Sequence, residues 1–473
     1  MPVTLPQLPN EILLNIFSFL RPSLNPKTFW WGKEPRVPPD LITLACLSRT
    51  SKHIHELTQP LLYHTIPYCG LSRTRLLRTL VRYPHLAEKF RAIDLNLTNG
   101  EGWVFDISLD AVRERLLANN FRGKLEDVVN VPDASCEICL VLSLLPNLEL
   151  LEITCDYDTN NMVSSFFRKV ARPLVNAPEK QNGQKHPFTQ LQEVRLCHSD
   201  THDAQEATSI FLVDDILLPT VHTLRGWSIS WEVHPNMSHI SQTQLNLKHI
   251  YLTYSFCNAE GLVNLLSRCP DLRTLQIEWH EPTAGGSDEL NFDKMGEALR
   301  NHAHNLEKLV LLYWCGGGFA YARRGRIGSL RKLSCLKALT LQQDILVGEV
   351  EDSDKESSGT GIPPLSTLYE VLPDSLEKLR LYSYSLYPCQ DDDEENLDEQ
   401  VYDLIASNQM KNLRKVRVDR ENDSFRNSFY KDVKKFVWKA SKTHGMMLVT
   451  KQETETRTGL NLPTICRRFQ CRR

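Results

Sequence analysis

The chain has 473 residues, a formal net charge of −3, 41% hydrophobic residues and 24% charged residues. That is globular composition, and the length suits one small module followed by a long repeat array. The balanced charge argues against nucleic-acid or membrane-surface binding by the chain as a whole, and no apolar run reaches the ~20 residues of a bilayer span. The start lacks a basic segment ahead of a short apolar core, so no secretory signal is expected. The 13 Cys are scattered and odd in number. They fit thiols buried in a reducing compartment, cytoplasmic or nuclear.

In chain order, the first predicted element is a helix over Leu8–Leu20. Pro9 suits its first helical position, and Glu11 meets the positive end of the helix dipole. Ile12, Leu13, Leu14, Ile16, Phe17, Phe19 and Leu20 leave only Glu11, Asn15 and Ser18 as a polar stripe. A helix apolar around most of its circumference must be covered around most of it. The short segment nearby is too small for that, so the excess reads as a surface another protein covers. The Pro-rich stretch Arg21–Asp40, with Trp30-Trp31, reads as a loop insertion. Leu41–Leu47 follows as a second helix. Thr50 or Ser51 caps a third, with Ile54, Leu57 and then Leu61-Leu62-Tyr63 after Pro60.

Three fragments carry a resemblance: Leu8-Pro9-x-Glu11-Ile12-Leu13-x-x-Ile16-Phe17-x-x-Leu20, Leu44-x-x-Leu47-Ser48-Arg49-x-Ser51 and Pro60-Leu61-Leu62-Tyr63. Together they resemble an F-box, in the version found in the large fungal family of F-box proteins with leucine-rich repeats. The likeness covers about Leu5 to Ile66 and departs from the family in the long insertion between helices 1 and 2. It implies docking on the Skp adaptor of a Skp–cullin–F-box ubiquitin ligase, with the cullin core beyond. The implied adaptor contacts are Leu8, Pro9, Ile12, Leu13, Ile16 and Phe17, completed by Leu44, Leu47 and Ser48. The bland alternative is that helix 1 packs on the downstream repeats.

From Leu71 a basic amphipathic helix leads to Tyr83-Pro84, and then one pattern recurs, apolar-x-x-apolar-x-apolar. Copies begin at Phe90, Leu148, Leu191, Leu247, Leu272, Leu306, Leu336, Leu376 and Leu413, with a weaker one at Val221 broken by Gly226. The last two apolar positions alternate, as in a strand with one buried face. Short helices are predicted ahead of most copies, at 262–268, 292–302, 327–333, 365–372 and 397–407. Strand then helix, repeated, is a leucine-rich-repeat signature. The irregular spacing is absorbed by loop insertions. The expected fold is an α/β repeat solenoid with parallel strands and outer helices, preceded by a small all-α module. Its expected divisions are 1–66 (insertion 21–40), a helical linker 67–89, the array 90–450 and a disordered tail 451–473.

The outward strand positions then make a concave face. Arg195, Arg225, Tyr251, Lys308, Lys378, Arg380, Lys415 and Arg417 stand on it, with Tyr254, Trp279, Tyr313, Trp314 and Tyr382 just past the strands. Cations and aromatics there suit an acidic or phosphorylated protein target. Solvated strands also carry Lys and Arg merely as protection, so both readings stand.

Other signals are weak. Cys136-x-x-Cys139 has no second pair and lies in an apolar helix pattern, so core thiols are favoured over zinc. His55-Glu56-x-x-Gln59 lacks the second His of a metalloprotease. Cys315-Gly-Gly-Gly318 lacks a P-loop ending, and the acidic run Asp391–Glu395 lacks a calcium-loop glycine. No catalytic group, cofactor or metal site is expected. The expected role is a non-catalytic substrate receptor of a ubiquitin ligase. The alternatives are a repeat scaffold whose first segment only caps the array, and, last, an enzyme with a site assembled across concave loops.

Overall fold

The computed structural model describes residues 7–21, 24, 39–67, 73–96, 109–118, 134–155, 163–172, 188–198, 208–231, 233, 243–279, 290–313, 323–342, 345–346, 367–383, 400–401, 403–404, 409–420, 434–441 and 445–449. The Trp30-Trp31 pair, Trp314, the Cys315–Gly318 loop, the acidic run at 391–395 and the tail 451–473 lie outside them. The chain divides into two compact units, Met1–Thr201 with Glu206–Gly226, and His202–Gln205 with Trp227–Arg473.

The first unit opens with three helices, α1 (Asn10–Ser18), α2 (Pro39–Leu47) and α3 (Lys52–Leu62). Pro9 is the cap of α1 rather than its first helical residue. Its carbonyl accepts the Ile12 and Leu13 N–H groups, both at 3.0 Å. Ser51 caps α3, its Oγ accepting the Ile54 N–H at 3.1 Å. Leu13, Phe17, Leu44 and Ile54 form the centre of this module, ringed by Leu8, Leu20, Leu47, Leu57, Leu61 and Leu62.

The module runs straight into a sheet. Strand β1 (Thr65–Ile66) pairs in parallel with β2 (Ala92–Asn96), Thr65 opposite Ala92 and Ile66 opposite Ile93. The Tyr63 ring stands edge-on to Phe90, with centroids 6.0 Å apart. β3 (Leu150–Cys155) and β4 (Glu193–His198) continue in parallel, and β5 (Thr223–Trp227) follows β4. In the second unit β6 (His249–Ser255), β7 (Thr274–Trp279), β8 (Lys308–Tyr313), β9 (Ala338–Gln342), β10 (Lys378–Ser383) and β11 (Lys415–Arg420) are parallel neighbours in that order. Two antiparallel strands, β12 (Lys434–Ser441) and β13 (Gly445–Val449), end the series.

The recurring pattern sets this register. Ile93, Leu151 and Val194 stand opposite one another, as do Ile250, Leu275, Leu309, Leu339, Leu379 and Val416. Every apolar position of the copies is buried. The weaker copy at Val221 makes a full strand, with Leu224 and Trp227 buried and Gly226 standing where the third apolar residue would be.

The backbone repeats too. In most copies the two opening N–H groups converge on one carbonyl of the copy before. Glu149 and Leu150 donate to Arg91, Glu307 and Lys308 to Arg273, and Glu377 and Lys378 to Lys337. A small polar residue ahead of the first apolar position adds a second tie. The Asn147, Asn305 and Asn412 amides donate to the carbonyls of Glu88 (2.8 Å), Pro270 (3.0 Å) and Asp374 (2.9 Å). These occupy the same relative position in three successive-copy pairs. Such a net bond is worth about 1 kcal/mol.

Crossovers between parallel strands need a dozen or more residues, usually helical. Helices Ala259–Arg268 and Phe292–His302 fill that role, capped by Asn258 and Asn291. The helix expected at 327–333 is absent. Gly325 and Gly328 adopt positive φ (71° and 68°), and Ile327 and Leu330 donate to the carbonyls of Ile345 and Val371 instead. Of the helix expected at 365–372, the described residues form the turn Leu368–Val371.

Glycine inside a helix costs about 1 kcal/mol against Ala, so a helical glycine in this packing has to serve another end. A Cβ on Gly296 would lie 1.9 Å from the Ile327 carbonyl oxygen, and one on Gly261 would lie 1.8 Å from that of Trp231. Helix and neighbouring backbone touch there. Gly296→Ala should therefore destabilise the second unit by about 3 kcal/mol through forced separation. Chemical denaturation of the two proteins checks it, and unchanged stability would mean the helix slides freely.

Candidate functional surfaces

Two surfaces carry the sequence-predicted site residues. The first is α1. Residues three and four apart share a helix face, so Leu13, Phe17 and Leu20 make one apolar stripe, and Pro9, Ile12, Ile16 and Phe19 make another. The first stripe is the module's own core, with Leu13 and Phe17 fully buried. The second is open: Ile12 is 46% exposed, Ile16 40% and Phe19 80%. Leu14 and, on α2, Ile42 are exposed as well.

This corrects the expected contact set. Leu13, Phe17 and Leu44 are buried against one another and cannot face a partner. Leu8 and Leu47 are half-buried against that core, and the Ser48 hydroxyl donates to the Ala45 carbonyl at 2.8 Å. Pro9, Ile12 and Ile16 remain exposed. Phe19, also exposed, continues their stripe. The signal was there for Phe19, seven residues after Ile12.

The second surface is the polar face of the strands. In the first unit its arginines are engaged internally. Arg195 Nε donates to Glu193 at 2.7 Å, and its Nη1 lies 3.3 Å from Glu152 and also reaches the Leu24 carbonyl. Arg225 Nε donates to the same Glu193 oxygen at 2.9 Å. Arg195 is therefore buried and held on three sides, and Arg225 is committed to Glu193. Neither is the unpaired cation the sequence implied. Leu24, which follows α1, thus reaches this face.

In the second unit, successive outward rows follow from the register. One reads His249, Thr274, Lys308, Ala338, Lys378, Lys415. The next reads Tyr251, Gln276, Val310, Thr340, Arg380, Arg417. Lys308, Lys378 and Lys415 are exposed, and Tyr251 is half-buried. Arg380 and Arg417 share one carboxylate, donating through Nε to the two oxygens of Asp419 at 2.5 and 2.6 Å. Trp279 is a correction. It is fully buried on the other face, where its Nε1 donates to the Cys257 carbonyl at 2.9 Å. Tyr313 is buried likewise. Both continue the apolar alternation Leu275–Ile277 and Leu309–Leu311 by one step, so the period of two had already assigned them.

Cys139 is buried in the helix Ala134–Ser143, as a core thiol would be. His55 and Glu56 lie exposed on α3. Among the described residues there is no group of three His, Cys, Asp or Glu able to hold a metal ion, and no helix is long and apolar enough to cross a membrane.

Residues 5–66 match the family model described as F-box-like, which covers the three helices and β1. No curated protein matches the chain.

The Glu152 cluster gives this face of the first unit a pH signature. Burial raises the Glu152 carboxyl to about 8 from an ordinary 4.5, and Asp94 alongside adds to the rise. Arg195 pulls the other way, but its charge is shared with Glu193. A carboxyl whose folded value is raised favours the fold while it is protonated, and that contribution fades as pH climbs from 4.5 through about 8. Glu152→Gln should thus gain thermal stability over the parent at pH 8 relative to pH 5. Melting curves at both values test this, and a gain confined to pH 5 would reverse the assignment.

Proposed function

We propose that the chain is the substrate-recognition subunit of a Skp–cullin–F-box ubiquitin ligase. In this reading the F-box-like module docks on the Skp adaptor and the array, of leucine-rich-repeat type, holds a protein target. The observation that carries it is the second apolar stripe of α1. A helix whose one stripe already fills the module's core still presents Ile12, Ile16 and Phe19 to solvent. Apolar anchors on a helix face are what helix-in-groove recognition uses. The chain itself performs no chemistry here. It raises the rate of modification by holding a target near a loaded enzyme, a gain in effective concentration.

A second reading, a scaffold in which the module only caps the array, draws on β1. Thr65–Ile66 completes the sheet edge beside β2, as a terminal cap does. The two readings separate by mutation, provided the substitutions avoid the core. Ile12→Asp with Ile16→Asp places charge on the exposed stripe. It should abolish co-purification with the Skp adaptor on a sizing column and leave the melting temperature of the free chain nearly unchanged. A partner-free chain that is indifferent to the adaptor from the outset would favour the scaffold. Phe17→Ala serves as the contrast. It removes a fully buried ring and should cost about 3–5 kcal/mol of stability. A Phe17→Ala protein as stable as the parent would mean that the core is wrongly placed.

A further inference from the structure

The second unit carries a cationic corner that is built rather than scattered. Lys378 and Lys415 are directly opposite in the register, with Lys308 in the same row beyond Ala338. All three are exposed, and none of their ammonium groups makes an ion pair or hydrogen bond to a described residue. Like charges placed directly opposite on neighbouring strands destabilise a sheet. One row along, Arg380 and Arg417 stand opposite each other as well. Asp419, only 3% exposed, grips both through Nε, one on each carboxylate oxygen. The Arg380 guanidinium carbon also sits 4.3 Å from the centre of the Tyr382 ring. Both guanidinium groups are thereby oriented, yet their Nη groups make no hydrogen bond to a described residue, and the side chains stay 38% and 24% exposed.

Asp419 thus acts as a clamp on the two arginines. An oriented guanidinium loses less freedom on binding an anion and matches carboxylate geometry with two parallel donors. The row from Lys308 to Lys415 spans three strand spacings, roughly 14 Å. One phosphate fills a single point of such a row, whereas a run of side-chain carboxylates fills its length.

We propose that Lys308, Lys378, Lys415, Arg380 and Arg417 form a docking face for a carboxylate-rich peptide segment, a stretch of consecutive Asp and Glu. Its use in target capture rests on the receptor reading above, but binding itself is measurable on the chain alone. Failure here therefore leaves the adaptor result untouched.

The test is fluorescence anisotropy with the full chain and three labelled peptides. One carries eight alternating Asp and Glu, the second carries Asn and Gln in their place, and the third carries one phosphoserine in a neutral sequence. The acidic peptide should bind at least tenfold tighter than either of the others, and less tightly as salt is raised. Lys308→Glu with Lys378→Glu and Lys415→Glu should weaken it by at least tenfold at an unchanged melting temperature. Arg380→Lys with Arg417→Lys, which keeps the charge and loses the fork, should weaken it by about threefold or more. Equal binding of the neutral peptide, tighter binding of the phosphopeptide, or full binding by the triple-Glu protein would each overturn the proposal. So would binding that emerges only when Asp391–Glu395 are changed to their amides, which would assign the face to the chain's own acidic run.

Discussion

Everything in this molecule depends on a column of buried aliphatic side chains running across parallel strands. Ile250, Leu275, Leu309, Leu339, Leu379 and Val416 stand in one register and are essentially free of solvent. No strand buries its own apolar edge. Each relies on the copy before and the copy after, so the array is continuous or unstable. The backbone follows the same rule in most copies, whose opening N–H pair donates to the previous copy's carbonyl. A slip by one residue would turn the aliphatic column out to solvent and bring the lysines and arginines in. The charges of the outward face are therefore a consequence of the column before they are a binding surface.

That ordering decides which charges remain for a partner. In the first unit the outward face pairs acid with base across neighbouring strands. Glu152, Glu193, Arg195 and Arg225 satisfy one another there. In the second unit the carboxylate of Asp419 serves two arginines. The charge ladder along the opening edge differs again. Arg273, Glu307 and Lys337 alternate in sign, with Glu307 3.8 Å from Arg273 and 3.1 Å from Lys337. Exposed pairs of this kind contribute little energy singly. Their alternation disfavours any register that sets like charges opposite, so the ladder acts on specificity more than on stability.

Much of this was legible in the residues. The apolar-x-x-apolar-x-apolar copies located every strand from β2 to β11, and the α1 motif located the module. What failed did so for identifiable reasons. Which of two apolar stripes on α1 turns inward depends on where α2 and α3 lie, and Ile16 and Phe17 look alike from sequence alone. The pairing of Arg195 and Arg380 was not legible because a partner of each comes from a strand about forty residues away in sequence. The helix expected at 327–333 gave way to two glycines at positive φ, which an aliphatic period does not register. Trp279 and Tyr313, by contrast, were readable: carrying the strand alternation one step further places both inside. The Asn before three of the copies, Asn147, Asn305 and Asn412, was also in plain view, but its role needs the neighbouring copy to be seen.

The junction between module and array has a mechanical meaning. α3 ends at Leu62, and β1 begins at Thr65. The Arg91 and Ala92 N–H groups both donate to the His64 carbonyl, at 2.8 and 3.2 Å, and Tyr63 packs edge-on against Phe90. Burial, with Arg21 and Arg91 near, holds the His64 ring at about 4, so it is neutral at the junction at physiological pH. A flexible linker would let the module sample many orientations and dilute any effective concentration it creates. Here the chain leaves a helix and enters a hydrogen-bonded strand within three residues. The exposed stripe of α1 is thus carried on the same body as the first strands of the sheet. Whatever docks on that stripe is held in fixed geometry to those strands, and this separates a presenting device from two binding modules on a string.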